Sequence, residues 1–290
     1  MSVPQWLLKK MPEFVVFSRT NRIISSVNTV CRSAACPNIL ECFSNRHTAF
    51  MILGSSCTRN CAFCGVDHGT PLPVDSGEPA RVAEAAKELG LSHVVVTSVS
   101  RDDLADGGAL QFARTIEALH RAGGMTVEVL IPDFGGNNDS LRQVMDAEPH
   151  VIAHNLETVR RLQPVIRPRA GYERSLDIIR HVKVSDKRIL AKSGLILGLG
   201  ENDSEILAAM TDLREAGCDI LTLGQYRQPG ENQLPVPRFI LEEGFEYWRE
   251  EGMRLGFSHV FSGSYVRSSY RAGDVFQSDG GKPTWKTGGY

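Results

Sequence analysis

Residues 49–64 read AFMILGSSCTRNCAFC: a short apolar run, then a loop that spends three cysteines in eight positions. The run is too short for a helix and is rich in large apolar side chains, so it predicts a buried strand. Five more such runs follow: HVVVTSV (93–99), MTVEVLIP (125–132), VIAHNL (151–156), ILAKSGLILGL (189–199) and ILTLGQY (220–226). Their Val, Ile and Leu content fits strands covered on both faces. Helical periods lie between them. In EPARVAEAAKELG (78–90), Val82, Ala85, Ala86 and Leu89 form one stripe that stops at Gly90. In 106–124 the expected stripe is Leu110, Phe112, Ile116 and Leu119, and in 202–217 Asp203 or Ser204 is the expected cap before Gly217. A sixth helix is expected over roughly 238–255.

Strands alternating with helices build a parallel sheet under outer helices. Six such units suit an open doubly wound sheet or a partial barrel. In both, chemistry gathers at the C-terminal ends of the strands. Cys57, Cys61 and Cys64 directly follow the first strand and fall at that end.

The composition is that of an ordinary globular chain: 42% hydrophobic, 23% charged, net charge −2. Such a balance gives no basic footprint for nucleic acid or an anionic membrane. No apolar run approaches the roughly 18 residues of a membrane span. The opening MSVPQWLLKKMPEF shows no signal-peptide core, so a cytoplasmic location is expected. The Gly-rich end, DGGKPTWKTGGY, is expected to be mobile.

Six of the seven cysteines fall within residues 31–64. This clustering fits a reducing compartment and metal ligation better than a disulfide framework. Cys31, Cys36 and Cys42 are spaced C-x4-C-x5-C, and Cys57, Cys61 and Cys64 are spaced C-x3-C-x2-C. Zinc is one reading of the second group, with His68 as the nearest fourth ligand. A four-iron cluster on three thiolates is the other, and it keeps one iron open.

CTRNCAFC also places an aromatic, Phe63, before its last cysteine, at the start of a β/α series. This resembles the radical S-adenosylmethionine superfamily, marked by C-x3-C-x-aromatic-C after the first strand of a partial barrel. The resemblance implies a four-iron cluster on Cys57, Cys61 and Cys64, whose open iron chelates the amino and carboxylate groups of S-adenosylmethionine. Reductive cleavage of that cofactor then yields a 5′-deoxyadenosyl radical.

CRSAACPNILECF (31–43) is similar to the N-terminal motif of the lipoyl synthase family, which holds an auxiliary four-iron cluster. TSVSRDDLADGGA (97–109), HNLETVRRL (154–162), IRPRAGYERSL (166–176), KSGLILGLGE (192–201), GQYRQP (224–229) and VRSSYRAG (266–273) resemble segments of that family in order. The likeness spans about residues 4–275. It implies a partial (β/α)6 TIM-type barrel over 49–262, an N-terminal cluster-binding extension over 1–48 and a C-terminal tail over 263–290. It also implies a serine of RSSY as fourth ligand of the auxiliary cluster, placed at Ser269 with Ser268 as the alternative. Two [4Fe-4S] clusters and S-adenosyl-L-methionine are the implied cofactors, and no catalytic residue is expected beyond the cluster ligands.

The implied activity is sulfur insertion at C6 and C8 of an octanoyl-lysine on a lipoyl-carrier domain. That domain would belong to a 2-oxoacid dehydrogenase acyltransferase subunit or to a glycine cleavage H protein. A reducing electron donor is required, and the auxiliary cluster is the implied sulfur donor. A biotin-synthase-like sulfur inserter leaves the Cys31–Cys42 motif unexplained. An electron carrier or iron-sulfur sensor would need neither open corner nor barrel. The 20–30 stretch, TNRIISSVNTV, departs from the family in being apolar rather than charged, but it touches no motif.

Other positions carry paired readings. Gly198, Gly200 and Glu201 either let backbone approach the adenosine or form a plain turn. Asn155 and Glu157 either hydrogen-bond S-adenosylmethionine or cap a helix. Thr97 and Ser98 end the second strand, where the superfamily contacts the methionyl amino group. Arg101, Asp102 and Asp103 are a salt-bridged loop or a cofactor contact, His154 a core histidine or a ligand, and Cys218 a buried apolar residue.

Overall fold

The computed structural model describes residues 14–276. The first thirteen residues and the Gly-rich end of the tail lie outside the described residues.

The strands are β1 (Ala49–Ile52), β2 (His93–Ser98), β3 (Thr126–Leu130), β4 (Val151–Ala153), β5 (Leu190–Leu197), β6 (Ile220–Gln225) and β7 (His259–Gly263). They form one parallel sheet in chain order. Among the described residues β1 and β7 do not pair, so the sheet curls without closing. This is the partial TIM-type barrel that the resemblance implied, one of the two architectures left open by the β/α alternation, with one strand more than expected. β7 was missed because HVFSG is only five residues long, half-buried at both ends and broken by Ser and Gly. The expected boundary at 262 therefore cuts through a strand.

Helices cover the convex face: Glu78–Leu89, Ala109–Ala122, Asn138–Asp146, Tyr172–Ser185, Asp203–Glu215 and Glu242–Leu255. No helix of the described residues is long and apolar enough to cross a membrane. Two details correct the sequence reading. In the helix Ala109–Ala122, Leu110 is 42% exposed, and the buried stripe is Ala109, Phe112, Ala113, Ile116 and Leu119. Those positions follow the i, i+3, i+4 rule, and Leu110 lies off it. In the helix Asp203–Glu215 the cap is Asn202, whose side chain accepts from Glu205 N at 3.0 Å. Glu205 Oε2 accepts in return from Asn202 N at 2.9 Å, completing a capping box.

The open edge of β1 is not left bare. Met51 N donates to Asn28 O at 2.9 Å, and Thr29 pairs antiparallel with Phe50. The N-terminal extension thus occupies backbone groups that an edge strand would otherwise present to other chains. Its short helices Val30–Ser33 and Ile39–Ser44 carry Cys31 and Cys42, with Cys36 in the turn between.

The concave face holds a buried ion pair. Lys192 on β5 reaches over β4 to Glu128 on β3 at 2.7 Å, and both side chains are 1% exposed. Burial by itself would raise the Glu128 carboxyl, but Lys192 and His93 together hold it below its ordinary value. Gly194 faces the same side two residues on, and here residues 264–276 enter as a strap. A Cβ on Gly224 would lie 2.1 Å from Val266 O, and one on Gly194 would lie 3.3 Å from Ser268 Oγ. Glycine at 224 makes room for the strap, and at 194 it first clears Thr222 Oγ1 on β6, which a Cβ would meet at 2.4 Å. The strap then ends against β2, where a Cβ on Gly273 would lie 2.9 Å from His93 Cβ.

Candidate functional site

The loop after β1 is held from three sides. Thr58 N donates to Ser100 O at 3.0 Å, past the end of β2. Ala62 N donates to Ile166 O at 2.9 Å, and Leu234 N donates to Ala62 O at 3.1 Å. Phe63 packs against the buried cluster of Ile166, Leu199 and Tyr226. The aromatic of the motif therefore anchors the loop in an apolar cluster. Backbone bonds Cys57 N to Asp67 O (2.8 Å) and Gly69 N to Cys57 O (3.0 Å) close its far side and bring His68 alongside Cys57.

Cys57, Cys61 and Cys64 are partly exposed at the C-terminal end of β1. Cys57 Sγ accepts from Ser100 N at 3.3 Å and from Arg59 N at 3.4 Å. Burial pushes the Cys64 thiol up to about 11 and raises Cys61 too, each further raised by its neighbouring cysteines. Such groups stay protonated until a cation takes their place beside sulfur. Among the described residues no three Cys, His, Asp or Glu side chains converge as ligands of one ion do. A four-iron cluster does not ask for that, because each thiolate serves a different iron.

Arg59, inside CTRNC, was not singled out by the sequence. It is buried and chelates Asp102 at 2.7 and 2.9 Å and Asp133 at 2.5 Å. Arg174 adds a second bridge to Asp133 at 3.1 Å. Burial would raise the Asp133 carboxyl, but Arg59 holds it far below the usual range. Arg101 closes on Asp103 and on Leu53 O. The SRDD segment is therefore an ion-paired frame for the cysteine loop.

The strand ends contribute the other side. Ser98 Oγ is buried and has no hydrogen-bond partner among the described residues. Thr97 Oγ1 is committed to Leu130 O at 3.0 Å. Asn155 Nδ2 donates to Glu157 Oε1 at 3.0 Å. Neither residue caps a helix; Glu157 instead takes φ 67° and bridges to β5, with Glu157 N on Gly194 O and Ile196 N on Glu157 O, both 2.8 Å. Burial raises its carboxyl, with Arg167, Asn155 and Arg267 opposing. Gly198, at φ 94°, is needed for packing: a Cβ there would lie 2.4 Å from Arg238 O and Gln225 Nε2. Gly200, at φ 106°, faces open space. Glu201 caps this turn, accepting from Leu199 N at 2.9 Å. His154 is a core histidine, held by Ile131 O and Ser175 Oγ, with burial pushing its imidazole down to about 4. Cys218 is fully buried.

Cys31 is buried beside Thr48 and Ala49, and burial raises its thiol; Cys36 and Cys42 are partly exposed. The strap meets this loop directly. Asn38 Nδ2 donates to Tyr265 O at 2.7 Å, and Tyr270 Oη donates to Glu41 Oε1 at 2.6 Å. Arg267 is half-buried, and its surroundings lower its guanidinium from the ordinary value through desolvation, with Cys36 and Glu157 opposing. Ser269 lines a cavity of about 160 Å³ with Asn45, Thr48, His93 and Arg271. Ser268 turns the other way, donating to Asn155 Oδ1 at 2.9 Å. The two cysteine loops come close: a Cβ on Gly65, next to Cys64, would lie 2.7 Å from Pro229 Cβ and 3.4 Å from Ala34 O, between Cys31 and Cys36.

Partial barrels of this kind recur among solved structures. That of Streptococcus suis SuiB bound to S-adenosylmethionine aligns at TM-score 0.60 and 11% identity, over 81% of this chain and 56% of that one. HydG, a maturase of the [FeFe]-hydrogenase, aligns at 0.56 and 15%, over 90% and 72%. These likenesses speak for the fold. The model of the radical SAM superfamily matches residues 51–224, from β1 into β6, so the barrel and its cysteine loop are those of a radical S-adenosylmethionine enzyme.

Lipoyl synthase of Caldanaerobacter subterraneus subsp. tengcongensis is 54% identical over 85% of this chain and 87% of its own length. That of Symbiobacterium thermophilum is 53% identical over 93% and 85%. The chain belongs to the lipoyl synthase family. It is accordingly an enzyme of lipoate biosynthesis that works with S-adenosylmethionine and two four-iron clusters on a lipoyl-carrier substrate.

Proposed function

We propose that the chain inserts two sulfur atoms, at C6 and C8, into an octanoyl group carried on a lysine of a lipoyl-carrier domain. The carrier is the acyltransferase subunit of a 2-oxoacid dehydrogenase or a glycine cleavage H protein, and the reaction draws on a reducing donor in the cytoplasm. Cys57, Cys61 and Cys64 hold one cluster; Cys31, Cys36, Cys42 and Ser269 hold the other. When bound, the first with S-adenosylmethionine supplies a 5′-deoxyadenosyl radical able to break an unactivated C–H bond, and the second supplies sulfur.

One observation carries this reading: the two cysteine loops come close, Ala34 near Gly65, and the strap is bonded to the Cys31–Cys42 loop at Asn38 and to Asn155 beyond the end of β4. A radical made beside one loop and sulfur held by the other need that adjacency, because a carbon radical must meet its sulfur before water or another group does. The chain's own residues supply the arrangement. The Arg59–Asp102–Asp133 frame fixes the first loop, and Asn38 and Glu41 hold the strap on the second. Ser98, Asn155 and Glu157 offer polar atoms at the strand ends where S-adenosylmethionine belongs. Phe63, Thr97, Gly198 and Gly200 support that side.

Ser269 is favoured over Ser268 because the Ser268 hydroxyl is already engaged with Asn155, whereas Ser269 lines a cavity beside Thr48, the neighbour of Cys31. A hard oxygen ligand is held less firmly than thiolate by iron, which suits a cluster that must open. The test is an octanoyl-lysine carrier peptide, incubated anaerobically with reduced, iron-loaded enzyme and S-adenosylmethionine. Mass spectrometry should show the dithiolated product, and Ser269→Ala should reduce its yield steeply while 5′-deoxyadenosine still forms. No sulfur gain by the wild-type protein would defeat the function, and full yield from Ser269→Ala would remove this serine from the ligand set.

A further inference from the structure

We propose that Ser268 is a positioning residue that ties the docking of the C-terminal strap to the binding of S-adenosylmethionine, acting through Asn155. The inference rests on the reading above that Asn155 and Glu157 face that cofactor.

The contact is specific. Ser268 Oγ donates to Asn155 Oδ1 at 2.9 Å, across 113 residues of chain. A primary amide has distinct ends, and a carboxylate, which only accepts, selects the nitrogen end while a hydroxyl can hold the oxygen end. Here the nitrogen donates to Glu157 Oε1 at 3.0 Å. Behind Asn155, Arg167 Nη1 holds its backbone oxygen at 3.0 Å. Glu157 is clamped to β5 by its two backbone bonds, in a left-handed conformation that a side chain adopts only when its surroundings impose it. Glu157 selects the nitrogen end of the amide, and Ser268 holds the oxygen end, so that losing Ser268 leaves the Asn155 side chain tethered on one side alone.

The approach of Ser268 is also built in. Gly194 faces this contact, and its missing Cβ would lie 3.2 Å from Asn155 Oδ1 and 3.3 Å from Ser268 Oγ. Any side chain there would crowd both atoms. On either side of Ser268, Tyr265 O accepts from Asn38 Nδ2 and Tyr270 Oη donates to Glu41 Oε1, so neighbouring strap residues reach the cofactor side and the auxiliary loop together. Two sites joined by one docked segment are thermodynamically coupled, and each favours the other by the same factor.

The experiment uses the full chain with both clusters assembled. The dissociation constant of S-adenosylmethionine is read by titration of the reduced-cluster electron paramagnetic resonance signal. Iron content and the Mössbauer spectrum of the auxiliary cluster are read in parallel. Ser268→Ala should weaken binding about fivefold, the effect of one lost hydrogen bond. Iron content and the auxiliary spectrum should stay as in the wild type. In an Asn155→Ala background, adding Ser268→Ala should produce no further loss, because the relay is already cut. Additive losses, or an unchanged affinity in Ser268→Ala beside a weakened Asn155→Ala, would overturn the relay. Loss of auxiliary iron in Ser268→Ala would show a ligand instead of a positioning residue. If Asn155→Ala itself binds normally, the placing of Asn155 at the cofactor fails, and the proposal fails with it.

Discussion

Replacing Cys57, Cys61 and Cys64 together by Ala should leave about half the iron, roughly four atoms per chain instead of eight. S-adenosylmethionine cleavage should disappear altogether. The loop should still fold, because its position is set elsewhere. Arg59 stays chelated by Asp102 and Asp133, Phe63 stays in its apolar cluster, and the backbone stays bonded to Ser100 and Ile166. The three thiols are only partly buried, Cys57 against the edge of the core, so the cost to stability is on the order of 1 kcal/mol each. A normal melting temperature with no 5′-deoxyadenosine is the expected pair of results. Cleavage that persists in a folded triple variant would mean that this loop does not hold the radical-generating cluster.

Replacing Cys31, Cys36 and Cys42 should have the complementary effect. 5′-Deoxyadenosine should still form, and no dithiolated product should appear. The extension keeps its hold on β1 through Asn28 and Thr29, and on the strap through Asn38 and Glu41. Loss of product in this variant therefore reports on the cluster and not on a detached segment. Iron should again fall by about half. Undiminished lipoyl product in these variants would require another sulfur source and would remove the donor role.

Much of this was legible in the sequence for a plain reason. Parallel strands buried on both faces leave continuous apolar runs, and six of the seven strands did so. β7 did not, because HVFSG is short and half-exposed at its ends. The cysteine spacings and the aromatic before Cys64 lie close together in the chain, so one reading captured them. Arg59 was missed because its partners Asp102 and Asp133 are 43 and 74 residues away. Nothing local marks an arginine as buried. Gly194 and Gly224 likewise read as ordinary strand residues; the strap passing at Val266 accounts for Gly224, and the nearness of Thr222 Oγ1 on β6 accounts for Gly194. Gly198 carried a signal for special backbone, which the structure honours with a positive φ, but the close approach is to Arg238 and Gln225 of the chain itself. The two serines of RSSY are adjacent letters with opposite environments, Asn155 for Ser268 and the Thr48 cavity for Ser269. Sequence cannot separate them, because the difference arises from where the strap turns.

The proposed function requires sulfur to pass from the loop of Cys31, Cys36 and Cys42 to the octanoyl chain. Its most direct test is a single turnover with clusters assembled from sulfur-34 sulfide, in buffer holding ordinary sulfide. The account predicts product carrying two heavy sulfurs, in a yield of no more than about one per chain, because one auxiliary cluster is spent. Product carrying sulfur of ordinary mass, or many turnovers with no loss of auxiliary iron, would contradict it.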